Sequence, residues 1–255
     1  MRLKSATGIF LLPVCCVMLL LFSGSCKKSA NSSVVVLNIY NYFGPDSVAA
    51  GAVYQTDNGT HVSLNRMSYY LSGITLLRDD NTYEDVSGTV LVTAGTSQYI
   101  LGSVPPGNYK SVSFTVGLNS SVNHSDPSSH TGNDPLANQT PSMHFGNDSM
   151  GYIFMAVEGL VDTTGSGTPQ AVLSYHIGSD ALLQGVSLPD HSASPYGAMF
   201  VANGNKVVSI NLQADYKVLM QHVDVKLNPV TNTYDFYAVA DSLAGSIPSM
   251  FRYLN

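Results

Sequence analysis

From Ser111 to Leu118 the chain changes character at every step: Val112, Phe114, Val116 and Leu118 alternate with Ser111, Ser113, Thr115 and Gly117. A period of two sends one set of side chains to a buried face and the other to the opposite face, which is the geometry of a β-strand. The same rhythm recurs. Leu37 and Ile39 share one face of an early segment, and Met67, Tyr69 and Leu71 form another that continues past Gly73 through Ile74 and Leu76. Further strands are predicted at 89–93, 98–101, 152–158, 171–177, 207–212 and 234–239. Pro105-Pro106-Gly107-Asn108 is a turn that feeds the clearest of the strands. Helix is scarce: Tyr216, Leu219, Met220 and Val223 fall at helical spacing, and a second short helix is expected near 239–244. Many short strands with Gly, Pro and Asn turns, and no visible repeat of about 20–50 residues, predict an all-β fold. The expected form is an antiparallel, Greek-key-like β-sandwich with one or two short helices.

One stretch breaks the rhythm. Residues 119–150 are rich in Asn, Ser, Asp and His without a sustained hydrophobic period. A loop this long inside a domain is characteristically functional or disordered. It carries His124, His130 and His144, three of the seven histidines, and is the first place to look for a site.

The N-terminus has a different purpose. Arg2 and Lys4 precede an apolar run of 14 residues from Ile9 to Phe22, and small residues then lead to Cys26. That is the layout of a signal peptide. A helix of this length falls short of the roughly 20 residues that cross a bilayer core. Ser23-Gly24-Ser25-Cys26 resembles the lipobox of bacterial lipoproteins, with Ser23 where an aliphatic residue is usual. Cys15 and Cys16 leave with residues 1–25, so Cys26 becomes the lone cysteine, without a disulfide partner, and a lipid on its sulfur explains its presence. The expected organisation is a signal peptide at 1–25, a lipidated Cys26 and tether through 33, and one domain over 34–255. The location expected is the bacterial cell envelope, anchored by lipid, at the outer membrane. Cleavage removes two basic side chains and no acid, so the net charge passes from −6 to −8. Such a surface repels phosphate backbones, and no basic patch with interleaved aromatics offsets it, so nucleic acid is excluded as a partner.

Several local patterns, in order, resemble the MbnP-like family, methanobactin-associated copper-binding proteins of the bacterial periplasm or its membranes. Arg66 to Leu76 is similar to an early strand motif with adjacent aromatics followed by Leu-Ser. Phe114-Thr115-Val116-Gly117-Leu118-Asn119 is similar to a strand ending in glycine, and Asn133-Asp134-Pro135-Leu136 to the polar turn after it. Met143-His144-Phe145, leading to Gly151 through Gly159, is the most specific block, and Tyr175-His176-Ile177-Gly178 follows. The resemblance spans about residues 34–228 and implies a β-sandwich and copper binding. In some copper-binding members an oxidised tryptophan is implicated as a ligand beside histidine. This chain contains no tryptophan, and Phe145 stands at the corresponding place. A phenyl ring has no lone pair for a metal, so any copper here relies on imidazole and thioether groups.

Imidazole suits copper, zinc and nickel, and thioether sulfur suits Cu(I). His144, His176 and Met143 are therefore the candidate metal ligands, with Met150 an alternative to Met143. His176 should project from the face opposite Leu173, Tyr175 and Ile177; its alternative reading is a half-buried histidine bonded to a loop. For His144 the alternative is an exposed loop residue. His124 and His130 are weaker candidates, and His61, His191 and His222 receive no role. Met143, Met150 and Met155 also suit the filling of irregular core gaps. Asp126, Asp134, Asp148, Asn133 and Asn147 offer the oxygens calcium needs, but without the spacing of a calcium loop; Asx turns are the simpler account. The chain lacks a Gly-x-Ser-x-Gly elbow, a His-Glu-x-x-His pair, a P-loop and a dinucleotide fingerprint, and a non-enzyme is expected. The leading expectation is a non-catalytic copper-binding lipoprotein. The alternative is a metal-free sandwich that contacts an envelope protein or glycan through the 119–150 loop, and a third, an envelope hydrolase, has no motif behind it.

Overall fold

Val35, Leu37 and Ile39 bury one side of strand β1 (Ser33–Phe43), as their period requires. The computed structural model describes residues 31–254 other than Ser87, Asp148 and 192–197. Cys26 and the signal segment, with their expected roles, lie outside the described residues. Chain order continues with β2 (Asp46–Ser47), β3 (Tyr54–Gln55), β4 (His61–Arg78), β5 (Tyr83–Val86), β6 (Val90–Thr93), β7 (Gln98–Val104) and β8 (Gly107–Val116). The short helix α1 (Ser120–Asn123) opens the long connection to β9 (Met155–Val161), after which come β10 (Ala171–Ile177), β11 (Gln184–Ser187), β12 (Phe200–Ala202) and β13 (Val207–Asp215). Helix α2 (Tyr216–Leu219), β14 (Val230–Thr231), α3 (Tyr237–Met250) and β15 (Phe251–Tyr253) complete the chain.

Two sheets result. The smaller runs β15-β13-β1-β2, with β7 paired to β1 on the side away from β13; the larger is built on β4, β8, β9 and β10 with shorter strands at their edges. Their inner faces share one core. The expected purely antiparallel sandwich is corrected to a mixed one: β1 and β13 are parallel from Val34↔Val207 to Tyr42↔Asp215, and β10 and β14 are parallel over two residues. A parallel pair needs a long crossover, and here almost the whole domain lies between its two strands. That is why local patterning gave no sign of it.

The strand predicted at 234–239 is also corrected. Thr233 and Phe236 have φ of +72° and +66°, which ends extended structure, and α3 begins at Tyr237. Ala240, Leu243, Ala244, Ile247 and Met250 recur at helical spacing and are buried in the main core, so the short helix expected at 239–244 is a longer one. At 152–158 only the part from Met155 onward is strand; His144 and Tyr152 form an isolated bridge.

The adjacent tyrosines of β4 serve two cores. Tyr69 points into the space between the sheets, and Tyr70 points outward into a second cluster with Leu118, Leu136, Met143, Tyr152, Ile153, Phe154 and Ala156. Tyr70 is also where β4 changes partner. Its N–H donates to the Phe154 carbonyl at the approach to β9, and its carbonyl accepts from Gly117 N–H at the end of β8, both at 2.9 Å. Residues 118–154 leave through this fork and fold back over the outer face of the large sheet. The Tyr70 and Tyr152 hydroxyls donate to the Pro135 and Leu136 carbonyls, and buried Asn123 accepts from Tyr152 N–H at 2.8 Å.

Candidate functional site on the outer face of the large sheet

Arg66 on β4 and Glu158 on β9 are direct cross-strand partners, and Ser174 on β10 pairs with Glu158 from the other side. All three lie on the outer face, opposite the core residues that alternate with them. His176, two residues on from Ser174, leans along the strand to place Nε2 2.7 Å from Glu158 Oε1. Its expected direction is therefore observed: Leu173, Tyr175 and Ile177 are buried beneath it. The same Oε1 accepts from Arg66 Nη1. The loop covers the cluster from above. After the cis Thr140–Pro141 peptide, Arg66 Nη2 donates to the Ser142 carbonyl at 2.7 Å and the Pro141 carbonyl at 3.3 Å, and lies 3.2 Å from Met143 Sδ. One guanidinium thus joins the sheet carboxylate to the loop.

Burial works against ionisation of Glu158, but the hydrogen bonds from His176 and Arg66, together with the Arg66 charge, outweigh it and hold the carboxyl below its ordinary range. Shallow hollows flank the cluster. One of about 250 Å³ touches His176, Thr231 and Phe236, and one of about 290 Å³ touches Asn65, Glu158 and Val172.

The remaining candidate residues sit elsewhere. Met143 is buried in the outer cluster, with its carbonyl accepting from Ile153 N–H. His144 Nδ1 accepts from Gly146 N–H at 3.0 Å, and its ring stands edge-on to Tyr152. Phe145 packs edge-on against Tyr234; a Cβ added to Gly178 would come within 2.9 Å of its ring and would overlap the Tyr152 carbonyl. His124 pairs with Asp180 at 3.3 Å and His130 with Asp134 at 2.9 Å. The carboxylate and amide side chains of the loop act as caps and Asx turns: Asp126, Asp134 and Asn147 each accept from the N–H two residues ahead. Asp148 lies outside the described residues.

The structure thus brings Met143 and His176 around one ion pair and gives His144 a separate environment. Sequence reading missed Arg66 and Glu158 as site residues. The available signal was opposite charges inside two apolar strand segments, in a chain only 11% charged. The Met143 sulfur and the Glu158 carboxylate both face the fixed positive charge of Arg66, and a guanidinium does not give up its proton. Among the described residues, no three His, Cys, Asp or Glu side chains converge in metal-binding reach. As arranged, these residues do not fit a copper ion.

Fold and site together define a class: a mixed β-sandwich whose large sheet carries a charged cluster, capped by a loop with its own small core. The chain belongs to the MbnP family, whose model matches residues 32–237. Among solved structures, MbnP from Methylosinus trichosporium is similar, with a TM-score of 0.53 and 15% sequence identity over 74% of this chain and 78% of that one. At that identity the likeness shows the fold. No curated protein matches the chain.

Proposed function

We propose that this chain is a non-catalytic binding module of the bacterial cell envelope, held at the membrane by lipid on Cys26, that keeps the MbnP sandwich without copper at the outer-face cluster. The observation that carries this reading is the Arg66 guanidinium, which occupies the space between Glu158 and Met143. The capping loop offers a surface for an envelope partner. A groove of about 940 Å³ runs between its residues Asn133, Asn138 and Gln139 and the residues Gln98 and Ile100 of β7. Ile100 is 76% exposed there, and a mixture of amides and apolar surface suits an extended chain.

Family membership favours a second reading, copper handling through His176, Met143 and His144. Elemental analysis and Cu(I) titration of the mature protein against a competing chelator separate the two. Absence of stoichiometric copper in wild type upholds the first reading. Tight copper that is lost in His176→Ala overturns it in favour of the second. Membrane fractionation of Cys26→Ser tests the anchor: the variant should move from the membrane to the soluble fraction, and retention on the membrane would overturn the lipid.

A further inference from the structure

Phe236 carries two costs at once. Its φ of +66° lies in the left-handed region that a bulky side chain rarely adopts, and that side chain is 64% exposed. It stands before α3 without capping it by a side-chain hydrogen bond, a place where glycine or asparagine would meet less strain. The strain persists because the turn around it is over-determined. Thr231 Oγ1 donates to the Asp235 and Phe236 carbonyls at 3.0 and 3.2 Å, Asn232 Nδ2 donates to Asp235 Oδ2 at 2.9 Å, and Asp235 N–H donates to Asn232 Oδ1 at 2.6 Å. The turn thereby holds Phe236 in the wall of the hollow of about 250 Å³ beside β10. Tyr234 and Tyr237, its neighbours in sequence, are also exposed over nearly half their surface. Exposed aromatic surface held in place against its own backbone preference marks a contact site.

We infer that this hollow binds a neutral sugar ring of a polysaccharide, with Phe236 as the stacking platform and Ser174 and Asp235 as the partners of its hydroxyls. Both polar residues line the hollow, and Ser174 Oγ and Asp235 Oδ1 have no hydrogen-bond partner among the described residues. A pyranose matches this lining on both counts. Its apolar C–H face is drawn to the negative face of an aromatic ring, and its hydroxyls donate to a carboxylate and exchange hydrogen bonds with a serine. An acidic sugar is turned away by the Asp235 carboxylate and by the chain's net charge of −6. A peptide fits less well, because β14, the strand at this edge of the large sheet, is two residues long and is a poor template for an added strand. Pockets that enclose a whole small ligand measure about 300–1,000 Å³, so the smaller hollow suits one unit of a chain. Ser174 also lines the second hollow, of about 290 Å³, with Asn65, Glu158 and the exposed Val172, where the next unit of the chain would lie. The inference goes beyond the preceding reading and depends on it only in that the module binds without catalysis.

The test is affinity electrophoresis of full-length mature protein in gels that carry a glucan, a mannan, a galactan, a xylan or the anionic polymer alginate. At least one neutral polymer should retard the wild type. Its affinity should fall about tenfold in Phe236→Gly, which removes the stacking face, and should also fall in Ser174→Ala, while Phe236→Tyr keeps it. Thermal unfolding separates a binding role for the ring from a structural one. Glycine adopts the left-handed backbone without strain and frees the unfolded chain, effects that oppose each other, so Phe236→Gly should melt close to wild type. Melting several degrees lower would assign the ring to the fold and overturn the inference. Retardation by none of the polymers, by alginate alone, or equally for wild type and Phe236→Gly would overturn it as well. Shortening of the retarding polymer during incubation would overturn instead the preceding reading that the module is non-catalytic, and would support the sugar site.

Discussion

Glu158 is the residue on which the outer-face cluster turns, because one of its carboxylate oxygens contacts both Arg66 and His176. Its folded carboxyl titrates below its unfolded value, so its contribution to stability is complete above the usual glutamate pKa of about 4.3 and is lost as pH falls through the folded value. Glu158→Gln should therefore destabilise the protein by about 1.5–3 kcal/mol at neutral pH, the scale for a hydrogen bond to a charged group. The gap should narrow steadily as the pH is lowered toward 3. Urea unfolding of both proteins at several pH values measures this, and a gap that stays constant would remove the ion pair from the account. Gly159 makes a steric prediction on the same strand. A Cβ there would overlap the Ser63 carbonyl oxygen on β4, close to the register shift between Leu64 and Arg66. Gly159→Ala should cost about 3 kcal/mol or more, since neither backbone can withdraw without breaking the ladder. A melting temperature within a degree of wild type would show that the strands part more easily than this packing implies.

At the scale of elements, the capping loop is a separate packing unit whose hold on the sheet runs through a few side chains. Asn123 is fully buried; it donates to Asp180 at 2.8 Å and accepts from Tyr152 N–H. Asn123→Ala removes the side-chain amide that ties Asp180 to the Tyr152 backbone, so amide exchange across 119–154 should accelerate by about tenfold or more, while amides of β4, β9 and β10 keep their protection. Uniform acceleration through the sheet would mean that the loop and sandwich open as one unit. This element also shows where sequence reading reached and where it stopped. The strands around Leu37, Tyr69, Phe114 and Tyr175 were legible because buried apolar residues recur in each at every second position. The loop's own core was not legible, because Leu136, Met143 and Ile153 are far apart in sequence and follow no period. Residues 234–239 were misread for a related reason: Tyr234, Phe236, Tyr237 and Val239 are all strand-favouring types, and the left-handed Phe236 that separates turn from helix carries no residue-type signal. Of the site, the direction of His176 followed from alternation on β10. The Arg66–Glu158 pairing depends on a register between strands 92 positions apart, which periodicity does not encode.

At the scale of the whole molecule, the small sheet brings the first and last described strands onto the two edges of β13. β1 lies beside β13, and β15 pairs with the other edge of β13, from Leu212↔Tyr253 to Ala214↔Phe251. The family match ends at residue 237, where α3 begins, so the helix and the closing strand stand outside the matched region and still belong to the same core. Leu243, Ile247, Met250 and Phe251 are each at most 4% exposed, and burying a side chain of this size stabilises by about 1.5–3 kcal/mol. Together they contribute about 6–12 kcal/mol, comparable with the 5–15 kcal/mol that separates a folded domain from its unfolded chain. The lost helix would also uncover Leu182 and Val186 near β11, against which α3 packs. Deleting residues 237–255 should therefore abolish cooperative thermal unfolding and leave a chain that binds hydrophobic dyes, even though every residue of the charged cluster is retained. If the truncated protein instead unfolds cooperatively near the wild-type midpoint, the matched region is a self-sufficient sandwich and α3 is an accessory packed onto a finished core.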